Sequence, residues 1–116
     1  MIYNSFDIVV VPFPFTGQNT EKRRPALVLS DKDSFNEETE NCALAMITSA
    51  KNPDWPLDCT IGSLKKAGLS VPSKVRMKIF TLDSRLIIRK IGGLSTKDQQ
   101  KVRESLNKLL KITESE

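Results

Sequence analysis

Asp7-Ile8-Val9-Val10-Val11-Pro12-Phe13-Pro14-Phe15-Thr16-Gly17-Gln18-Asn19-Thr20-Glu21-Lys22-Arg23-Arg24-Pro25-Ala26-Leu27-Val28-Leu29-Ser30 is the stretch on which the fold turns. Residues 8–11 and 26–29 are apolar runs of strand length, rich in β-branched and aliphatic side chains. The segment between them is expected to interrupt the ladder. Pro12 and Pro14 lack an N–H donor, and Gly17, Asn19 and Thr20 are turn formers. It ends on Lys22-Arg23-Arg24, so three cations reach the mouth of the second strand. Pro25 fixes its own φ and pushes Arg24 toward extended geometry. A guanidinium placed on a loop against a rigid sheet can hold a phosphate.

Outward from this stretch, residues 31–41 are polar and acidic, with Ser34 placed to cap a short helical turn. Residues 42–47 form a third apolar run. From Trp55 to Ile61 the alternation places Trp55, Leu57, Cys59 and Ile61 on one face, as in a half-buried strand, and Pro56 assigns its start to a sheet edge. Residues 62–69 read as a connector. Val71, Ser73, Val75, Met77 and Ile79 then share one face of an extended segment, and Lys74, Arg76 and Lys78 share the other. After a turn near residues 82–85, residues 86–91 read as a last strand, stopped by Gly92-Gly93. Ser95 caps a C-terminal helix with Asp98 placed to answer the cap; Val102, Leu106, Leu109 and Leu110 make its apolar stripe. The pattern predicts one domain over 1–116, mainly β with α: a small antiparallel partial barrel, curled like an SH3 fold, with a C-terminal helix.

Composition narrows the chemistry. The chain has no histidine, which removes Ser-His-Asp and Cys-His nucleophiles and the two-histidine ribonuclease mechanism together. Two distant cysteines, Cys42 and Cys59, cannot fill a zinc shell without histidine, so no metal and no cofactor is expected, and the two thiols read as reduced core residues. No apolar run approaches a membrane span and the N-terminus is unlike a signal peptide, so a cytoplasmic location is expected. The net charge of +4 understates the basic surface. Residues 31–40 carry five acids against Lys32, leaving 17 of the 18 basic and 9 of the 14 acidic groups elsewhere, a balance of +8. That favours a polyanionic partner.

The run Asp7–Phe15 followed by Lys22–Ser30 resembles the N-terminal signature of the MazF/PemK toxins, the mRNA interferases of bacterial toxin–antitoxin pairs. Ala45-Met46-Ile47-Thr48-Ser49 is similar to the family's second motif, and residues 70–94 resemble its C-terminal strand region. The resemblance spans roughly residues 6 to 110. It implies the SH3-like fold, a homodimer, and metal-independent cleavage of single-stranded RNA leaving a cyclic phosphate and a free 5′-OH. It also implies an acidic antitoxin as partner, with DNA contacted through the antitoxin complex.

Arg24 precedes the motif proline, the place of the family's catalytic arginine, and Thr48 matches its catalytic threonine. RNA carries its own nucleophile, the 2′-OH; a fixed guanidinium and a hydroxyl donor suffice to stabilise the charge that grows on phosphorus. Lys22, Arg23 and Ser49 are candidates for neighbouring phosphates, and Lys74, Arg76 and Lys78 for a substrate track. Phe13, Phe15 and Trp55 could stack on bases or pack against the core. Asp7 or Glu21 could assist proton removal. Two other readings stay open: a same-fold gyrase poison, against which the polar ending Lys-Ile-Thr-Glu-Ser-Glu speaks, and a non-catalytic RNA-binding domain.

Overall fold

The computed structural model describes residues 2–13 and 22–112. Six strands follow in chain order: β1 (Asp7–Phe13), β2 (Lys22–Val28), β3 (Asn41–Ser49), β4 (Cys59–Thr60), β5 (Ser73–Asp83) and β6 (Arg89–Gly93). They form one antiparallel sheet in the order β4-β5-β3-β2-β1-β6, curled into a half-barrel as the sequence predicts. The helices are α1 (Glu37–Thr39), α2 (Leu64–Ala67) and the C-terminal α3 (Thr96–Leu110). Both faces of the sheet are apolar, which explains the unbroken aliphatic runs. Ile8, Leu27, Ala45, Ile47 and Val75 pack on one face with Leu94 and with Val102 of α3. Val9, Val11, Ala26, Val28 and Leu44 pack on the other with Tyr3 and Ile87. Cys42 and Cys59 are buried free thiols, and burial pushes the Cys42 thiol up.

The structure departs from the sequence expectations at several elements. The ladder does not break at the prolines: β1 runs through Pro12 to Phe13, and β2 starts at Lys22 and includes Pro25. The three cations are therefore strand residues. Pro14, Phe15 and Glu21 lie outside the described residues. The first helical segment is capped by Asp31, whose carboxylate accepts from the Ser34 N–H, so Ser34 is the residue capped. Residues 55–58 form a turn, and only Cys59–Thr60 pair, though at the predicted sheet edge. Asp58 closes that turn by accepting from the Trp55 N–H, with Leu57 in the left-handed region at φ 70°.

Gly92 and Gly93 do not stop β6; they belong to it. A Cβ at Gly92 would lie 2.4 Å from the Ala67 carbonyl carbon, so glycine is what lets α2 rest on the strand. In α3, Ser95 accepts from the Asp98 N–H at 3.2 Å as expected. Val102 and Leu106 reach the core, whereas Leu109 and Leu110 are exposed.

The Asp98 carboxylate crosses to the other end of β4. It accepts from the N–H groups of Gly62 (3.0 Å) and Ser63 (3.1 Å) and lies 3.4 Å from the Lys101 ammonium. Burial alone would raise this carboxyl, but the Ser63 and Gly62 N–H groups, Ser95 and Lys101 outweigh it and hold it below the usual range. A depressed carboxyl contributes stability above its unfolded pKa, and the contribution is lost as pH falls through the folded value. Asp98→Asn is therefore expected to lower the Tm at pH 7 and to flatten the Tm profile between about pH 5 and pH 2, relative to wild type. Parallel profiles of the two proteins in thermal melts would refute the assignment.

Candidate functional site

β2 and β3 pair at Ala26↔Met46, Leu27↔Ala45 and Val28↔Leu44, and the pairing goes no further. The next residue of β2 is Pro25, which has no N–H to give. Ile47, which would face it, keeps only its pairing with Val75 of β5 on its other side. Carried one residue further still, the same register would set Arg24 against Thr48. These two side chains therefore stand opposite each other on one face, across the open end of a ladder.

Two cavities flank the opening. The smaller, about 220 Å³, is lined by Phe13, Arg24, Met46, Thr48, Trp55, Arg76 and Lys78. The larger, about 440 Å³, is lined by Arg23, Arg24, Arg89, Thr48, Ser49, Ser70 and Ser73 among others. Arg24, Ile47 and Thr48 border both. None of the described residues lining either cavity is a carboxylate.

Arg24 is half-buried, and its Nε is buried with no hydrogen-bond partner among the described residues. Its guanidinium carbon lies 5.4 Å from the centre of the Phe13 ring. A buried, unpartnered donor on a cation is unfavourable, and the residue that carries it borders both cavities. Thr48 is prepared in a complementary way. Its Oγ1 accepts from the Asn52 side-chain amide at 2.5 Å, so its own proton is left for a second acceptor. Asn52 is held in turn by Lys74, whose ammonium donates to the Asn52 carbonyl oxygen.

Lys74 is accordingly not an outward-facing cation, which corrects the expected substrate track. It is 3% exposed, 2.7 Å from Asp54 and 3.6 Å from Asp58. Arg76 is largely occupied as well, with Nη2 2.9 Å from the Asp58 carboxylate and 2.7 Å from the Pro53 carbonyl oxygen. Burial would raise the Asp58 carboxyl, but Arg76, the Trp55 N–H and Lys74 hold it below its ordinary value. The cause is the 52–58 turn, whose Asp54 and Asp58 meet both cations; beside it a bulge, Ala45↔Ile79 against Ile47↔Val75, leaves two extra residues on β5 opposite Met46. An even insertion keeps the predicted alternation: Val75 and Met77 pack on one face, while Arg76 and Lys78 share the wall of the smaller cavity on the other. Lys78 remains exposed, 5.5 Å from the Phe13 ring.

Arg23, Arg24, Thr48 and Ser49 are thus brought together, Arg76 and Lys78 stand on the wall of the smaller cavity, and Lys22 lies exposed at the start of β2 beside them. Asp7 is engaged with Lys90 at 3.1 Å, four residues along β1 from the position opposite Arg24. Two residues with no sequence signal join the site. Asn52 is a loop amide, and Arg89 comes from β6 through its pairing with Val10.

The curled antiparallel half-barrel with a C-terminal helix matches solved toxins of toxin–antitoxin pairs. A MazE–MazF complex from Deinococcus radiodurans matches with a TM-score of 0.74 and 25% identity, covering 97% of this chain and 99% of that one. Below that identity the fold alone is shared by two more. The Mycobacterium tuberculosis toxin MazF-mt6 has a TM-score of 0.73 and 19% identity, with 93% and 99% covered. An endoribonuclease in complex with its cognate antitoxin from Mycobacterial species has a TM-score of 0.74 and 13% identity, with 98% of each chain covered. No curated protein sequence matches. The family model of the PemK-like, MazF-like toxins of type II toxin–antitoxin systems matches residues 4–110, and the chain belongs to that family. No described helix is long and apolar enough to cross a membrane.

The burial of Lys74 sets an expectation that a solvated stripe would not. Lys74→Ala should lower stability by about 1–3 kcal/mol, because it removes the ammonium paired with the buried Asp58 carboxylate and the donor that holds the Asn52 carbonyl. Lys78→Ala should melt like wild type. Equal melting temperatures for the two variants would return Lys74 to the surface.

Proposed function

We propose that the chain is an endoribonuclease that cuts single-stranded RNA, mRNA in particular, by attack of the ribose 2′-OH on the adjacent phosphorus. The bond from the 2′-oxygen to phosphorus forms as the bond from phosphorus to the 5′-oxygen breaks. The 2′-OH proton is lost, the departing oxygen gains one, and a cyclic phosphate and a 5′-OH remain. The observation that carries this reading is the pair Arg24 and Thr48, facing each other across an open ladder with donors to spare. A phosphate between them would meet a guanidinium from one strand and a hydroxyl from the next. Both are fixed before the negative charge grows, which is the condition for electrostatic catalysis. Arg23, Arg89, Lys22 and Ser49 would contact flanking phosphates, and Lys78 a phosphate beyond the smaller cavity.

Arg24→Ala is expected to slow single-turnover cleavage at saturating RNA by ~10²–10³-fold, with a far smaller loss of affinity. Arg24→Lys should restore only part of the rate, since lysine keeps the charge but loses the planar fork. Thr48→Ala should be milder, as it removes a neutral donor. Cleavage by wild type should persist in EDTA. If saturated Arg24→Ala cuts at the wild-type rate, the residue only binds, and if RNA is bound but never cut, the chain is an RNA-binding domain.

The working unit is proposed to be a homodimer neutralised by an acidic antitoxin that covers the cationic cavities. Exposed Leu109, Leu110 and Ile112 at the end of α3 offer apolar surface for the first contact. Light scattering at micromolar concentration should give about twice the 13.0 kDa chain mass. A single 13.0 kDa species throughout that range would discard the dimer.

A further inference from the structure

Trp55 is the chain's sole tryptophan and is 46% exposed, unusual for so large an apolar side chain. Its exposure falls on the wall of the smaller cavity, beside Arg24 and Thr48. Trp55 is also held in place. Its N–H donates to Asp58 at 2.9 Å, and its carbonyl oxygen accepts from the Asp58 N–H at 3.3 Å. The Arg76 guanidinium carbon lies 4.6 Å from the centre of its ring. Arg76 in turn is fixed by Asp58 and the Pro53 carbonyl, so its charge is already answered and its flat group serves as backing. The other aromatic of the cavity, Phe13, already has Arg24 and Lys78 against its ring.

We propose that the exposed surface of Trp55 is a stacking platform for one unpaired base next to the phosphate held between Arg24 and Thr48, and that Arg76 supports this platform instead of binding phosphate. The proposal rests on the endoribonuclease reading and adds to it a base subsite. An aromatic plane backed by a guanidinium, inside a cavity without carboxylates, suits a nucleobase attached to an anionic backbone. A protein segment docking on the same indole would have no need of the neighbouring Arg24–Thr48 gap.

The lone tryptophan makes the subsite directly observable. The probe is a short single-stranded RNA with a 2′-deoxy sugar at the mapped cut site, so that it binds without being cut, and a series carrying one abasic position each. Binding of the intact oligonucleotide is expected to quench the indole emission. One abasic position beside the cut should abolish the quench and weaken binding about tenfold. Trp55→Ala should weaken the intact probe by a similar factor, with an unchanged Tm, and should add nothing to that abasic substitution. Trp55→Phe should recover most of the loss. RNA that binds and is cut while the emission and the Trp55→Ala affinity stay unchanged overturns the platform alone, and leaves Trp55 to a protein partner. Additive losses from Trp55→Ala and every abasic position would overturn it too. A protein that neither binds nor cuts RNA overturns the platform together with the enzymatic reading.

Discussion

Pro25 has no hydrogen to give, and the pairing of β2 with β3 ends at its neighbour Ala26. Ile47, which would have faced it, stays paired with Val75 on its other side. An interior sheet position where one strand has no hydrogen to donate leaves a gap in the ladder on that side. The remaining features of the site follow from that gap. Arg24 and Thr48 flank it and border both cavities, and the Arg24 Nε beside it is buried without a partner among the described residues.

The positive field around the gap is produced as much by the placing of acids as of bases. Asp54 and Asp58 meet Lys74 and Arg76 beneath the 52–58 turn, and Asp7 meets Lys90 on the outer strand. Arg23, Arg24 and Arg89 line a cavity to which no carboxylate contributes among the described residues. The internal ion network has a second effect: through Lys74 and Asn52 it fixes the Thr48 hydroxyl. The stiffness of one neutral donor thus depends on buried charges one strand away.

Much of this could be read from the chain. The apolar runs of β1, β2 and β3 marked strands buried on both faces, and the short stretch between β1 and β2, too short for a crossover, marked the pair as antiparallel. Ser95 marked the start of α3, and motif position singled out Arg24 and Thr48. What failed, failed for local reasons. Alternation put Lys74, Arg76 and Lys78 on one face, but it could not show that Asp54 and Asp58 of the 52–58 turn engage the first two. Trp55–Leu57 alternated as a strand would, but the Asp58 carboxylate supplies a turn that competes with the ladder. Gly92-Gly93 looked like punctuation, yet the missing Cβ serves close packing by α2. Asn52 and Arg89 gave no signal, since a loop amide and a strand arginine acquire meaning only from what the fold brings beside them.

Ala26 and Met46 are the last rung before the strands part, and they make the site a fork in a rigid frame. The tines are short: Arg24 and Thr48 each sit two residues past the rung. Beyond Thr48, β3 stays laced to β5 through Thr48↔Lys74 and Ser49↔Ser73, and Arg24 stays laced to Val11 of β1. Each tine is thus splinted on its outer side and free only toward the slot. Flexing of the frame would reach the slot as a change of width, while the orientation of either tine stays set by its splint. An anion seated there would tie two strands that share no backbone bond at that level, completing the interrupted sheet as a replaceable rung.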